Sequence, residues 1–240
     1  MDVVYPYRKS RWNDNELRFS LRSVEKHLPH GTIFIVGYMP TWVRNAEHIA
    51  AKDSYNHKTK NAIAKIRAAC RDPRVSEKFV LMNDDFFILQ HMKGIAPVSE
   101  GPITAKIDQH KTRAGYYYTS LCDTLRLLHA AGFERPLSYE VHYPIVIDKA
   151  RFLQLTDSVE WEEVGYQYRS LYGNTYAIGD VRKVDAKCYQ PTDLDRFSGQ
   201  EVISITDRLA MFAKTQRFLY ERFPMPSKYE DPASDPGKLP

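Results

Sequence analysis

Residues 78–89 read KFVLMNDDFFIL. An apolar run leads into Asn83, Asp84 and Asp85 and then resumes with Phe86, Phe87, Ile88 and Leu89. Adjacent carboxylates in such a run repel each other and lose hydration, so something must compensate them. The stretch "KFVLM" (78–82) reads as a buried strand, which puts the acidic pair where a strand leaves its sheet. Ligands of open α/β sheets bind at such strand ends. A divalent cation with oxygen ligands, Mg2+ or Mn2+, would compensate both charges. The competing reading is a surface turn with two solvated aspartates. The immediate return to Phe-Phe-Ile-Leu argues against it.

The strand has neighbours upstream. "DVVYPY" (2–7) is a short β-rich run, "NDN" (13–15) supplies helix-capping residues, and Leu17, Leu21, Val24 and Leu28 mark a helix face that Pro29 ends. "TIFIVG" (32–37) is a second buried strand. Strand, helix, strand at this spacing is a βαβ unit and predicts a mostly parallel, Rossmann-like sheet flanked by helices. Ala62, Ile63, Ile66, Ala69 and Cys70 mark the next helix, which feeds the 78–82 strand.

Downstream the pattern is less regular. "GIAPVSEGP" (94–102) is loop-like, and a helix is expected over 116–131 with Leu121, Leu125 and Leu128 inward and Gly132 at its end. "YEVHYPIVID" (139–148) alternates like a strand, "KARFLQL" (149–155) reads as a short helix, and a loop-rich region reaches "QYRSLYGNTY" (167–176). One long helix is expected over 201–223, with Ile205, Leu209, Phe212, Leu219 and Phe223 on one face. The stretch that follows is rich in Pro and charge, so 229–240 reads as a flexible tail.

Bulk composition narrows the function classes. The 240 residues suffice for one large α/β domain, and 43% hydrophobic residues with no run near the roughly 20 of a membrane span predict a soluble chain. Three scattered cysteines, Cys70, Cys122 and Cys188, make neither a disulfide framework nor a zinc site, and with no secretory signal the default location is the cytoplasm. A net charge of +4 permits a polyanionic partner without requiring one. Sixteen tyrosines suit half-buried clefts for sugars or bases.

Two stretches together carry a resemblance. "NDNELRFSLRSVEKHLPHGTIFIVG" resembles a conserved region of the Stealth sugar-1-phosphate transferases, D-N-x-E-L-[RK]-[YF]-S-L-R-S-[IV]-E followed by a strand. "VSEKFVLMNDDFFIL" resembles that family's L-S-x-x-F-L-Y-L-N-D-D-x-F-F. "HYPIVIDKARFLQL" looks like a third block, and "YRSLYGN" could hold the family's downstream arginine at Arg169. The family's opening survives only as "DVVYPY", without the aspartate that closes it. The "YGN" and "FPMPSKYE" stretches look more like small viral relatives regarded as glycosyltransferases.

The resemblance implies a GT-A-like fold over 1–228. Residues 1–92 form the nucleotide-sugar half, 93–200 the acceptor side, and 201–223 the last helix. It also implies a nucleotide-sugar donor (a UDP-sugar first), Mg2+ or Mn2+, and a hydroxyl acceptor. With a phage origin, the acceptor to try first is a hydroxymethylated base in DNA. The rival readings are sugar-1-phosphate transfer to a glycan, and a nucleic-acid-binding accessory protein with a vestigial acidic pair.

Candidate roles follow. Asp85 is the first metal ligand, and Asp84 holds the metal, a metal-bound water or the ribose. Asn13, Asp14 and Glu16 cap the first helix or line the donor loop, and Tyr5 on the first strand is a donor contact. Arg22 and Arg18 meet phosphate or lie in solvent. Lys58, Lys60 and Asn61 open a helix whose N-terminus suits a diphosphate. His142 is a general base, a metal or phosphate contact, or a hydrogen-bonded structural histidine, with Glu140 as the alternative base. Arg169 suits donor phosphate, while Tyr172, Gly173 and Asn174 read as a turn first and a binding loop second. Asp180 and Asp185 read as surface residues. Lys106, His110, Lys111, Arg113 and the tyrosines to 118 read as an acceptor surface or a solvated loop.

Overall fold

The computed structural model describes residues 1–10, 12–113 and 115–234. The chain runs β1 (Asp2–Tyr7), α1 (Asn15–His27), β2 (Ile33–Gly37), β3 (Glu47–Ile49), α2 (Lys58–Arg71), β4 (Lys78–Leu81) and β5 (Phe86–Ile88). It continues through β6 (Val98–Ser99), α3 (Ile103–His110), α4 (Tyr116–Ala130), β7 (Ile145–Asp148), α5 (Lys149–Asp157) and α6 (Tyr168–Thr175). The last part holds β8 (Val181–Arg182), β9 (Lys187–Cys188), α7 (Pro191–Phe197), β10 (Val202–Ile205), α8 (Asp207–Ala210) and α9 (Ala213–Arg222).

The central sheet has the order β3-β2-β1-β4-β7. Its first four strands are mutually parallel and β7 closes the edge antiparallel. Side chains alternate across a strand. Accordingly Val3, Tyr5 and Tyr7 meet Leu17, Leu21 and Val24 of α1 on one face. Val4, Phe34 and Val36 meet Ile66 of α2 and Phe152 of α5 on the other. The predicted βαβ unit and mostly parallel sheet are present.

A second sheet, β5-β10-β9, explains why apolar residues resume after the acidic pair. Phe86–Ile88 leave the first sheet and pair antiparallel with Val202–Ser204 of β10. Two serines of α1 satisfy backbone groups of β5: Ser20 Oγ donates to the Phe86 carbonyl (2.7 Å), and Ser23 Oγ accepts from the Ile88 amide (3.0 Å). Helix α1 thus lies between two sheets, which is why residues 15–24 are all buried.

Three expectations need correction. Residues 201–223 are not one helix. Val202, Ile203, Ser204 and Ile205 form a fully buried strand, and two short helices, α8 and α9, follow. The β-branched alternation outweighed a helical spacing that starts at Ile205. Tyr172, Gly173 and Asn174 lie inside α6, not in a turn. Residues 229–234, expected in a flexible tail, pack against the body, with Tyr229 2% and Glu230 3% exposed. Residues 235–240 lie outside the described residues. Among the described residues no helix is long and apolar enough to cross a membrane.

Candidate active site

Asp84 and Asp85 occupy the turn that carries the chain from one sheet to the other. The Met82 amide still bonds to the Val4 carbonyl (2.9 Å), and the Phe86 amide closes the turn on the Asn83 carbonyl (3.2 Å). The pair therefore sits at the carboxyl end of β4, beside the ends of β1 and β2, and opens into a cleft of about 880 Å3. Glu16, from the first turn of α1, and Asp207, which opens α8, share its wall with the pair. Arg8, Lys9 and Lys58, with the N-terminus of α2, line the same cleft.

The loop before α1 brings Glu16 there. Asn13 and Asp14 both adopt left-handed backbone, at φ 47° and 61°, which Asn and Asp tolerate better than other side chains. Asp14 does not cap its own helix with its side chain. Its Oδ1 instead accepts from the Tyr7 hydroxyl (2.5 Å) and the Ser10 amide (2.9 Å), tying the loop to β1.

The acidic wall is short of positive charge. Asp85 Oδ2 accepts from Lys187 Nζ (2.5 Å) and Ser204 Oγ (2.9 Å). Burial alone would raise the Asp85 carboxyl, but Lys187, His142 and Ser204 together hold it below its usual range. Asp84 receives no side-chain donor among the described residues, and burial, then Asp85 and Glu16, push its carboxyl well above the usual range. Glu16 is 2% exposed. Its Oε1 is buried without a partner, and burial, Asp85 and Asp207 raise its pKa to about 7. Lys187, Ser204 and Asp207 were missed in the sequence. Only Asp207, an acidic residue just past a β-branched run, carried the same strand-end signal as the acidic pair.

Among the described residues no group of three or more His, Cys, Asp or Glu side chains is placed to hold a metal ion. Asp84 and Asp85 are two adjacent carboxylates lining the cleft, and Glu16, whose Oε1 is buried without a partner, lines it as well. That chemistry fits a hard cation whose remaining ligands are phosphate oxygens and water.

The predicted residues separate into two groups. Lys58 and Asn61 share the cleft with Asp84 and Asp85. Lys58 is exposed there, whereas Asn61 is spent on the main chain of Tyr55 (2.9 and 2.7 Å) and shapes the cleft rim. Lys60 turns away to the Glu163 carbonyl. Tyr5 is fully buried beneath the site, its hydroxyl sharing a hydrogen with Ser20 (3.0 Å), so it supports the cleft from below. Arg22 and Arg18 both bind Glu230, and Arg22 also donates to the Phe223 carbonyl (3.0 Å). Neither arginine lines the cleft, which corrects the phosphate reading. Asn174 holds the main chain at Leu137 (2.8 Å) and is structural.

His142 borders a second cavity of about 300 Å3. Asp185 holds it twice: Oδ1 accepts from the His142 amide (3.0 Å), and Oδ2 pairs with ring Nδ1 (2.8 Å). A carboxylate on Nδ1 selects the tautomer that leaves Nε2 as an acceptor. Asp185, expected at the surface, is instead largely buried (side chain 14% exposed) and orients that ring. Glu140 accepts from the Ser170 amide and hydroxyl (2.9 and 3.0 Å), which occupies it structurally. Arg169 is 4% exposed and donates to the Val141 and Tyr143 carbonyls (3.2 and 2.6 Å), bracing the segment that carries His142. Its Nη2 is buried without a partner. Lys106, expected to place phosphates, turns inward to Glu100 (2.6 Å).

An α/β sheet of this order, interrupted after β4 by an acidic turn that leads into a second small sheet, is the GT-A fold of nucleotide-sugar glycosyltransferases. The sequence matches no protein-family profile and no curated protein. Among solved structures the chain is similar to the galactosyltransferase LgtC in complex with donor and acceptor sugar analogs, with TM-score 0.51 and 11% identity over 95% of this chain and 98% of that one. An active-site mutant of LgtC gives the same values. The glycosyltransferase GlyE of Streptococcus pneumoniae TIGR4 aligns at TM-score 0.45 and 11% identity, and the chain spans 60% of its length.

Proposed function

We propose that this chain is a glycosyltransferase that moves a sugar from a nucleotide-diphosphate donor, a UDP-sugar first, to a hydroxyl acceptor with Mg2+ or Mn2+. The observation that carries the reading is the cleft at the carboxyl end of β4, which Asp84, Asp85 and Glu16, its Oε1 without a partner, line together with Arg8, Lys9 and Lys58. Asp84 and Asp85 would hold the cation, which would neutralise charge on the departing diphosphate. The basic wall and the N-terminus of α2 favour the phosphates of the donor.

In the transfer, the bond between the sugar C1 and the diphosphate oxygen breaks and a bond from C1 to the acceptor oxygen forms. An acceptor seated in the second cavity would give its proton to His142 Nε2, which Asp185 holds as an acceptor and which is near enough to Asp85 to lower its carboxyl, and the nucleoside diphosphate leaves. The LgtC structure holds donor and acceptor sugar analogs, which supports a sugar donor on this fold. A hydroxymethylated DNA base stays among the acceptors to test. Support for it is reduced to the half-buried His110 and the exposed Lys111 and Arg113, since Lys106 is buried.

The test is a melting-temperature screen of UDP and UDP-sugars with and without Mn2+, followed by chromatography of the nucleotide released. A Mn2+-dependent rise with release of UDP supports the reading. Release of UMP assigns sugar-1-phosphate transfer instead, and no rise with any nucleotide overturns the reading.

A further inference from the structure

Lys187 stands apart from the other cations of the cleft. Its side chain is 11% exposed. Its ammonium donates to Asp85 Oδ2 (2.5 Å), Ser204 Oγ (2.9 Å) and the Ile205 carbonyl (2.6 Å). An ammonium has three N–H groups, so none remains for a phosphate. Lys187 and Ser204 face each other in the parallel register of β9 and β10. The same sheet fixes the Asp85 main chain, since the Ile205 amide donates to the Asp85 carbonyl (3.2 Å). Asp85 Oδ2 is thereby saturated and only Oδ1 is left for a ligand. Among the described residues no other cation lies within ion-pair distance of Asp84, Asp85 or Glu16.

We propose that Lys187 is a built-in counter-cation that positions Asp85 and keeps the acidic pair's affinity for a free divalent cation low, so that the cation enters together with the donor diphosphate. The inference rests on the function proposed above. A positive charge at the ligand oxygen repels an incoming cation and removes one of its oxygens. A nucleoside diphosphate restores both what is missing, negative charge and oxygen ligands. Glu16 and Asp84, which lack such a partner, offer the remaining carboxylate oxygens. Lys187 in this account is a positioning residue and touches no substrate.

The experiment is a Mn2+ titration read by electron paramagnetic resonance of the free ion, with and without UDP. It is run on the wild type, Lys187→Met, Lys187→Gln and Lys187→Arg, each checked by circular dichroism for a cooperative melt. The wild type is expected to bind Mn2+ at least tenfold more tightly with UDP than without. Lys187→Met should bind Mn2+ alone at least tenfold more tightly than the wild type, with UDP adding little. Lys187→Arg, which keeps the charge, should restore the UDP dependence. Should Lys187→Met fail to fold, Lys187→Gln, which is neutral but keeps a polar end, carries the same expectation. UDP-dependent Mn2+ binding in the wild type, with unchanged or weaker binding of Mn2+ alone in the neutral variants, overturns this proposal and leaves the proposed function standing. Absence of Mn2+ binding to the wild type with or without UDP overturns both.

Discussion

Helix α1 feeds two clusters of buried charge, and they are built in opposite ways. In the first, Arg18 and Arg22 meet Glu230. Its carboxylate accepts from Arg18 (2.6 Å), from Arg22 (2.8 and 2.7 Å), and from the amide and hydroxyl of Ser227 (2.8 and 3.0 Å). Burial would raise the Glu230 carboxyl, but Arg22, Ser227 and Arg18 outweigh it and hold it low. In the second, Glu16 meets Asp84, Asp85 and Asp207, and Lys187 is tied to Asp85 alone. A buried charge that serves the fold comes with its partners. The cleft cluster leaves like charges facing each other, a cost that a bound ligand relieves.

The comparison can be broken at several points. Glu230→Ala strands two buried guanidinium groups and is expected to destabilise the chain by about 3–5 kcal/mol in urea unfolding. A loss below about 1 kcal/mol would remove the contrast. Asp84→Asn is expected to lower kcat for sugar transfer by roughly 100- to 1000-fold, while its melting temperature stays level or rises because a like-charge contact is gone. A variant that loses stability along with activity would show Asp84 to be structural.

Glu16→Gln tests the electrostatic sign. An acid whose folded pKa is about 7, against an unfolded value of about 4.3, keeps its proton on folding. The folded state then binds more protons than the unfolded state across that interval, so stability falls as pH rises from about 4.3 to 7. In the ligand-free protein Glu16→Gln should be more stable than wild type at pH 8, by roughly 3–4 kcal/mol, and level with it near pH 4. A pH-independent difference would refute the assignment. The smallest effect is expected next to Glu230. Asp231 pairs with Arg44 at the surface (side chains 29% and 49% exposed), so Asp231→Ala should cost under about 1 kcal/mol.

The first half of the chain was legible because its signals are local and repeat. A short β-rich run at 2–7 and a buried apolar run at 32–37, with a four-three-four helix between them, leave few other topologies. The acidic pair was legible because two carboxylates in an apolar run demand an explanation. Its partners were not. Lys187 lies 102 residues from Asp85, in a two-residue strand without periodicity. Residues 202–205 were hidden because an apolar run of four fits a strand or a helix face, and only pairing with β5 decides. Arg22 shows the limit of reading charge from sequence. An arginine one turn from another suits a phosphate, a solvated face or a buried ion pair equally well, and the acidic partner stands 208 residues away.

That separation also bears on the order in which the fold can close. Arg18 and Arg22 are made some 212 and 208 residues before Glu230, the carboxylate that both of them bind. Seating α1 between its two sheets before Glu230 arrives costs the burial of two guanidinium groups without that carboxylate. The clasp at residues 227–230 and the packing of α1 are therefore expected to form together.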